Sequence, residues 1–326
     1  MLGWAVIGCG WVARDYVVPA IRASRNGRLM VACDRDAQAL AALGGDGFQR
    51  TDRAEDAIAN AGVDAVYIAT PNDSHAAMAA AAAAAGKHVL CEKPMAHNSA
   101  DARAMVADCA AAGVTLATAF DQRFHAAHLA VAGLVRQGRL GIVTQVRLHY
   151  ACWLPRDWSA DNWRIDATRA GGGAVIDLAP HGLDLLETVL GERIEQLVCL
   201  TQRRVHDYAV EDGGVLLARL SSGTLASLHV AYNCPEAYPR RTLEVIGTRA
   251  RAVALDTMGQ TAGGTLTLTD AASGHEQRLP VADDRCPFML QIEAFADAVL
   301  QQRPYAHPAE HDLRLAVMLE EALSCH

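Results

Sequence analysis

Lysine and arginine form no run longer than the pairs Arg203-Arg204 and Arg240-Arg241, and that absence removes one class of partner at once. Its 326 residues carry 29 Lys+Arg against 37 Asp+Glu, a formal net charge of −8, so no basic surface attracts polyanions and nucleic acid is excluded as a partner. Long apolar runs are missing as well. The alanine-rich stretch between His75 and Gly86 is too short and too weakly apolar to span a bilayer. The chain enters a strand at Gly3, which leaves no room for a signal peptide and points to a soluble cytoplasmic protein with no membrane partner. Cysteine is present but unpaired by pattern: Cys9, Cys33, Cys91, Cys109, Cys152, Cys199, Cys234, Cys286 and Cys325 make an odd total with no C-x-x-C. They read as small hydrophobes in a reducing compartment. Metal-ligand spacing is absent too. His307 and His311 lie four apart, but Pro308 intervenes and no glutamate follows the first histidine in H-E-x-x-H fashion, so both read as helix-start polar residues and no metal is expected.

What is there begins with Gly3 to Arg35, which reads as strand, glycine turn, helix, strand, acid. Gly8 lets the chain turn sharply off the first strand. Gly10 lets the backbone approach a pyrophosphate, and Ala13 keeps the helix close to the sheet. Asp34 ends the second strand, where a carboxylate accepts hydrogen bonds from a ribose hydroxyl pair and repels a 2′-phosphate. This favours NAD over NADP, although the neighbouring Arg35 could tolerate the extra phosphate. A Gly-x-Gly-x-x-Ala turn alone is a weak signal, and its bland reading is any strand-to-helix turn. Here it stands between a strand and a helix, with an acid ending the next strand, as a dinucleotide site demands.

Strands and helices alternate over the first 120 residues: helices over 36–43, 53–60, 75–86 and 99–112, and strands near 48–51, 64–70, 88–92 and 114–120. Asp73 or Ser74 caps the third of these helices. The pattern predicts a doubly wound parallel sheet with helices on both faces. Gly8–Ala13, Asp34, Thr70–Pro71–Asn72, Glu92–Lys93–Pro94 and Asp121–Arg123 all follow strand ends, where such sheets bind ligands. Beyond residue 124 the grammar changes. A helix over 126–137 precedes alternating strands at 143–150, 197–205, 215–220, 224–232, 242–246, 251–255 and 265–269, with turn signals between them that indicate hairpins. A helix over 175–190 and two closing helices, about 287–301 and 308–323, complete the pattern. The expected domains are a dinucleotide-binding unit over 1–122 and an α+β unit over 123–326 with a large, mainly antiparallel open sheet, the C-terminal helix being able to pack back on the first domain. An open sheet with helices on one face leaves the other to be covered, and a second subunit, in a homodimer or homotetramer, is the expected cover.

Two places could carry chemistry. Lys93 follows a buried strand, where an ammonium donates to a substrate hydroxyl or relays a proton; a plain surface lysine is the alternative. Asp177 and His181 follow Gly171–Gly172–Gly173, whose lack of side chains would let a ligand approach the backbone. Four apart on a helix, the two project from one face, and the carboxylate can hold the imidazole's tautomer. Equally, Asp177 is a helix cap and His181 a satisfied core histidine, with Pro180 in the first turn compatible with both. Three of the five tryptophans, Trp153, Trp158 and Trp163, share one loop, where they either stack on a sugar face or anchor a subunit contact.

Taken together, Gly8-x-Gly10-x-x-Ala13, Asp34-Arg35, Thr70-Pro71-Asn72-x-x-His75, Glu92-Lys93-Pro94, Arg123, Trp163-Arg164 and Gly-Gly-Gly followed by Asp177-x-x-x-His181 resemble the glucose-fructose oxidoreductase / inositol dehydrogenase / rhizopine-catabolism family over essentially the whole chain. The resemblance implies an NAD(P)-dependent dehydrogenase acting on a CH–OH group of a sugar, polyol or inositol. It implies Lys93, Asp177 and His181 as the catalytic set, with His181 as proton acceptor, Asp177 as its orienter and Lys93 holding substrate and cofactor ribose. Gly8, Gly10, Trp11, Val12, Ala13, Asp34, Arg35, Thr70, Pro71, Asn72, His75, Glu92 and Lys93 would line the cofactor. Arg123 and Arg164 would reach nicotinamide or substrate, and Trp153 and Trp163 would contact substrate. Two other classes fit the same scaffold: a glycosidase that retains NAD and oxidises its sugar transiently, and a non-catalytic dinucleotide-binding sensor.

Overall fold

The computed structural model describes residues 1–155, 158, 162–282 and 285–324. Cys325 and part of the tryptophan loop lie outside them. The chain divides into two compact units. The first comprises Met1–Phe120, Thr168–Gly171 and Phe288–Val317, and the second Asp121–Ala167, Gly172–Pro287 and the chain from Met318 onward.

In the first unit six parallel strands, β1 (Leu2–Ile7), β2 (Gly27–Cys33), β3 (Gln49–Thr51), β4 (Ala65–Ile68), β5 (His88–Glu92) and β6 (Leu116–Ala119), lie in the order β3-β2-β1-β4-β5-β6. Strand direction of travel through the sheet reverses between β1 and β4, the switch point at which such sheets take dinucleotides. Every residue of β1 and β4 is buried, as a sheet covered on both faces requires. The helices are α1 (Val18–Ala23), α2 (Ala37–Ala42), α3 (Ala54–Ala59), α4 (His75–Ala84) and α5 (Ser99–Ala111). Ala79, Ala82 and Ala83 of α4 join Ile68, Val89 and Met105 in the core; side chains of one carbon let this helix lie close to its neighbours.

Two local expectations are corrected. The helix expected after the glycine turn opens to a π-helical pitch over Ala13–Val17 before α1. Pro19 has no N–H to return to the carbonyl four residues back, so the ladder shifts register just ahead of it. Neither Asp73 nor Ser74 caps α4 through its side chain; the Ser74 hydroxyl instead donates to Thr70 Oγ1 and to the Pro71 carbonyl, both at 2.7 Å.

The second unit contains α6 (Ala126–Arg136), β7 (Val143–Ala151), α8 (Ala174–Leu190, after the short α7 at Ala167–Ala170), β8 (Ile194–Gln202), β9 (Gly213–Leu220), β10 (Leu225–Ala231), β11 (Arg241–Gly247), β12 (Ala250–Leu255), β13 (Thr265–Asp270) and β14 (Glu276–Leu279). Two helices, α9 (Pro287–Leu300) and α10 (Ala309–Ser324), close the chain. The eight strands form one sheet, β14-β13-β12-β11-β7-β10-β9-β8. All neighbours are antiparallel except β7 and β10, which pair in parallel, so the sheet is mixed. Strand β14 has too little apolar content to have been anticipated. Along β9, Leu216, Ala218 and Leu220 point inward, and Val215, Leu217 and Arg219 outward. Helix α8 packs on the inner face so closely that a Cβ on Gly182 would lie 2.6 Å from Leu228 Cδ2.

Asp212 ties the loop before β9 to the strand ends. Its Oδ2 accepts from the N–H groups of Arg204 (2.9 Å), Val205 (2.6 Å) and His206 (3.1 Å), and its Oδ1 from the Asn233 amide at 2.9 Å. Burial would raise this carboxyl, but the three backbone donors and the amide outweigh it and hold it below its ordinary value. The stabilisation is therefore full above the ordinary carboxylate range and is lost as pH falls through the depressed folded value. We expect Asp212→Ala to cost about 3 kcal/mol, from buried donors left unpaired. Denaturant midpoints measured at pH 7 and pH 3 check this, with the difference between variant and parent shrinking at the lower pH.

Candidate active site

The glycine turn does what its sequence requires. Gly8 has φ of +90°, and a Cβ there would sit 2.5 Å from the Ala69 carbonyl oxygen. A Cβ on Gly10 would meet nothing within 4 Å. The space outside the Gly10 backbone is open, as an approaching pyrophosphate needs. Cys9, between them, is buried, and desolvation followed by the Asp34 charge pushes its thiol up to about 12, so it is no nucleophile. Asp34 Oδ2 accepts from Cys9 N at 2.6 Å, and Oδ1 from Asp36 N at 2.9 Å. The carboxylate is thus fixed in orientation at the switch-point edge of the sheet, and its remaining lone pairs can still accept ribose hydroxyls. Arg35 and Trp11 are exposed and Val12 is half-buried, whereas Ala13 is fully buried. Ala13 is a packing position and not a lining one.

The loop after β4 and the turn after β5 are held together by one imidazole. His75 is fully buried, its Nδ1 3.1 Å from the Pro94 carbonyl oxygen and its Nε2 3.0 Å from that of Thr70. This corrects the expectation that His75 lines the cofactor, because neither ring edge is exposed. Asn72 is buried and donates to the Ala170 carbonyl at 2.9 Å, while Thr70 and Pro71 remain half-buried. Glu92 accepts from the Tyr67 hydroxyl at 2.7 Å and from Lys93 N at 3.3 Å. Lys93 is half-buried and its bond to Pro94 is cis.

In the second unit, helix α8 carries Asp177 and His181, and its beginning is fixed by Glu211. That carboxylate accepts from Gly173 N at 2.9 Å and Val175 N at 3.0 Å, taking the position at the helix N-terminus where negative charge is favoured. The glycines before α8 serve this packing and not a ligand. A Cβ on Gly173 would lie 2.2 Å from the Glu211 carbonyl oxygen, and within the first unit one on Gly171 would lie 2.2 Å from that of His97. Pro180 is not in the first turn, as the sequence suggested, but inside the helix, because the Glu211 cap starts α8 at Ala174.

His181 is buried, with Nδ1 3.8 Å from Asp121 Oδ1 and its ring edge-on to Tyr150 at 5.7 Å. Asp121 Oδ2 accepts from the Gln122 amide at 2.9 Å, and the same amide donates to the Gly259 carbonyl at 2.7 Å. Asp177 accepts a 2.8 Å hydrogen bond from Tyr232. Burial, followed by the Asp177 charge, drives the Tyr232 hydroxyl far above its ordinary value, so it remains a donor. Asp121 thus presents a carboxylate to the imidazole's Nδ1, a neighbour that the sequence, which pointed to Asp177, did not single out.

Arg123 is corrected too. Its Nε donates to both Asp184 oxygens at 2.9 Å and its Nη2 to Oδ1 at 2.6 Å, with both side chains buried. A guanidinium forked onto a buried carboxylate is committed to the fold, since breaking the pair would strand a charge. Arg164 lies over the Trp163 ring at 4.5 Å, and Trp153 packs against His206 at 5.4 Å. Sequence reasoning missed Asp121, Tyr232 and Tyr67 as polar partners. Tyr67 and Tyr232 sit in runs that read as buried strand, and nothing local marks their hydroxyls.

The two glycines should separate fold from binding. Gly8→Ala, against positive φ and a backbone carbonyl, should lower the melting temperature sharply. Gly10→Ala should leave melting unchanged while weakening NADH binding about tenfold, roughly 1.4 kcal/mol, as read by nicotinamide fluorescence titration.

Comparison with known proteins agrees with this geometry. Residues 2–120 match the model of an oxidoreductase family with an NAD-binding Rossmann fold, and residues 128–253 match the GFO/IDH/MocA C-terminal domain. The chain is 34% identical to a 1,5-anhydro-D-fructose reductase of Ensifer adhaerens, over 91% of this chain and 87% of that one. It is 31% identical to a D-xylose 1-dehydrogenase (NADP(+)) of Haloferax volcanii, over 91% and 88%. The crystal structure of an aldose-aldose oxidoreductase from Caulobacter crescentus, complexed with glycerol, superposes with a TM-score of 0.88 at 26% identity, covering 99% of this chain and 96% of that one. With both of its units matched in sequence and the whole chain matched in fold, this protein belongs to the Gfo/Idh/MocA family of oxidoreductases.

Proposed function

We propose that the chain interconverts a secondary hydroxyl and a ketone on a sugar or polyol, with NAD preferred over NADP. The observation that carries this reading is the buried His181 imidazole with a carboxylate facing its Nδ1. A proton on Nδ1 directed at Asp121 makes Nε2 the basic nitrogen that takes the substrate's hydroxyl proton, and the carboxylate stabilises the imidazolium that forms. Asp177, fixed by Tyr232, orients a substrate hydroxyl, and Lys93 is assigned to substrate on the Glu92-Lys93-Pro94 motif that the chain shares with the family. Hydride transfer is the chemistry that a bound nicotinamide supplies. The sugar class rests on the sugar-named relatives. The cofactor preference rests on Asp34, whose two oxygens each accept a backbone N–H. A carboxylate so held cannot turn away from a 2′-phosphate, although the exposed Arg35 would soften the discrimination.

The outward face of the large sheet supports self-association. Val198, Leu200, Leu217 and Leu225 are exposed on β8, β9 and β10, an apolar area that another copy of the chain would cover in a dimer or tetramer. We expect Leu200→Glu to lower the mass measured by light scattering at micromolar concentration; an unchanged mass would place any interface elsewhere.

A panel of sugars and polyols, assayed with NAD and NADP in parallel, tests the activity. One substrate should yield reduced nicotinamide stoichiometrically. Release of a leaving group without net NADH would favour the glycosidase reading, and no turnover at all the sensor. On that substrate His181→Ala should lower kcat about 10²- to 10⁴-fold. Asp121→Asn should move the acid limb of the kcat/KM profile to lower pH, because removing the carboxylate makes the imidazole easier to keep neutral.

A further inference from the structure

Lys93 sits between two residues that are each pinned by a buried side chain from elsewhere in the first unit. On its N-terminal side, Tyr67 in β4 is fully buried and donates 2.7 Å to Glu92 Oε1, while Glu92 Oε2 accepts from Lys93 N at 3.3 Å. On its C-terminal side, the fully buried His75 places Nδ1 3.1 Å from the Pro94 carbonyl oxygen, with Nε2 3.0 Å from the Thr70 carbonyl oxygen at the end of the β4 segment. Both pins run to the same neighbouring strand and the loop that follows it. Register supports this, since Tyr67 stands opposite Leu90 in the parallel β4–β5 pair and its hydroxyl reaches two residues further along β5. An ordinary strand would have an apolar residue at position 67. A phenol there, with its hydroxyl on the carboxylate next to Lys93, has no need to satisfy within the sheet core that a phenylalanine would leave open.

We propose that Tyr67 and His75 are positioning residues for Lys93, fixing the turn from both sides so that the ammonium's place is set by the sheet and not by a loose loop. This rests on the reading that Lys93 acts on the substrate. Neither side chain touches substrate. The phenol acts through Glu92 and the imidazole through Pro94, and a group held to within a fraction of an ångström by such supporting contacts is what a positioned donor requires.

Tyr67→Phe keeps the ring and removes only the hydroxyl, so it should fold. We expect kcat to fall about tenfold, with the NADH dissociation constant within about threefold of the parent and melting within a few degrees. The decisive readout is a double-mutant cycle with Lys93→Met. Acting through the ammonium, Tyr67→Phe should change residual turnover less than about twofold once Lys93 is gone. His75→Gln, which retains one amide donor for a carbonyl, should show the same loss of effect in the Lys93→Met background. Parental kcat in Tyr67→Phe, or an equal tenfold loss with and without Lys93, would overturn the proposal. Parental turnover in Lys93→Met alone would strike the role given to Lys93 itself, and the proposal with it.

Discussion

Polar groups that gather at the carboxyl ends of buried parallel strands must find partners without water, and that constraint shapes the first unit. Strands β1, β2, β4 and β5 all end on the same side. At those ends Asp34 accepts from the N–H of Cys9, Glu92 accepts from the Tyr67 hydroxyl, and the His75 ring lies between the Thr70 and Pro94 carbonyls, donating to one of them. For the fully buried members, Tyr67 and His75, losing the partner would cost about 1–3 kcal/mol. The consequence for binding is indirect. With these demands met internally, the open backbone at Gly10 and the outer lone pairs of Asp34 stay available to a ligand.

The second unit solves a related problem with charge. Three acids lie on or against α8, Asp121 and Asp184 buried and Asp177 half-buried: Asp121 near His181, Asp177 bonded to Tyr232, and Asp184 in the fork of Arg123. They have different partners and hence different uses. A carboxylate forked by a guanidinium is locked and structural. One beside an imidazole responds when that ring gains a proton. The environment, and not the residue type, sorts them.

Much of this could be read from the chain because the deciding interactions are local. Gly8 was legible because a positive φ at a strand-to-helix turn leaves few alternatives to glycine, and the strand and helix alternation because apolar periodicity is a short-range signal. Asp177 and His181 were legible as residues of one helix, four apart, because their spacing is a local signal. What escaped was set by distant partners. Asp121 lies 60 residues from the imidazole it faces, Glu211 caps α8 from 38 residues away through Gly173, and the parallel pairing of β7 with β10 joins strands that no turn connects. Arg123 and His75 looked like ligand-facing groups because the motif that contains them ends strands; burial turned both toward the protein. The partners of Trp153 and Trp163, His206 and Arg164, could not have been told from the spacing of tryptophans.

In the proposed reaction a carbinol hydride leaves the substrate for a bound nicotinamide while His181 takes only the proton. Deuterium at the oxidised carbon of a turned-over sugar tests this directly. The label should be recovered in the reduced nicotinamide, one deuterium for each molecule of ketone formed. Loss of the label to solvent, with no labelled reduced cofactor, would contradict it.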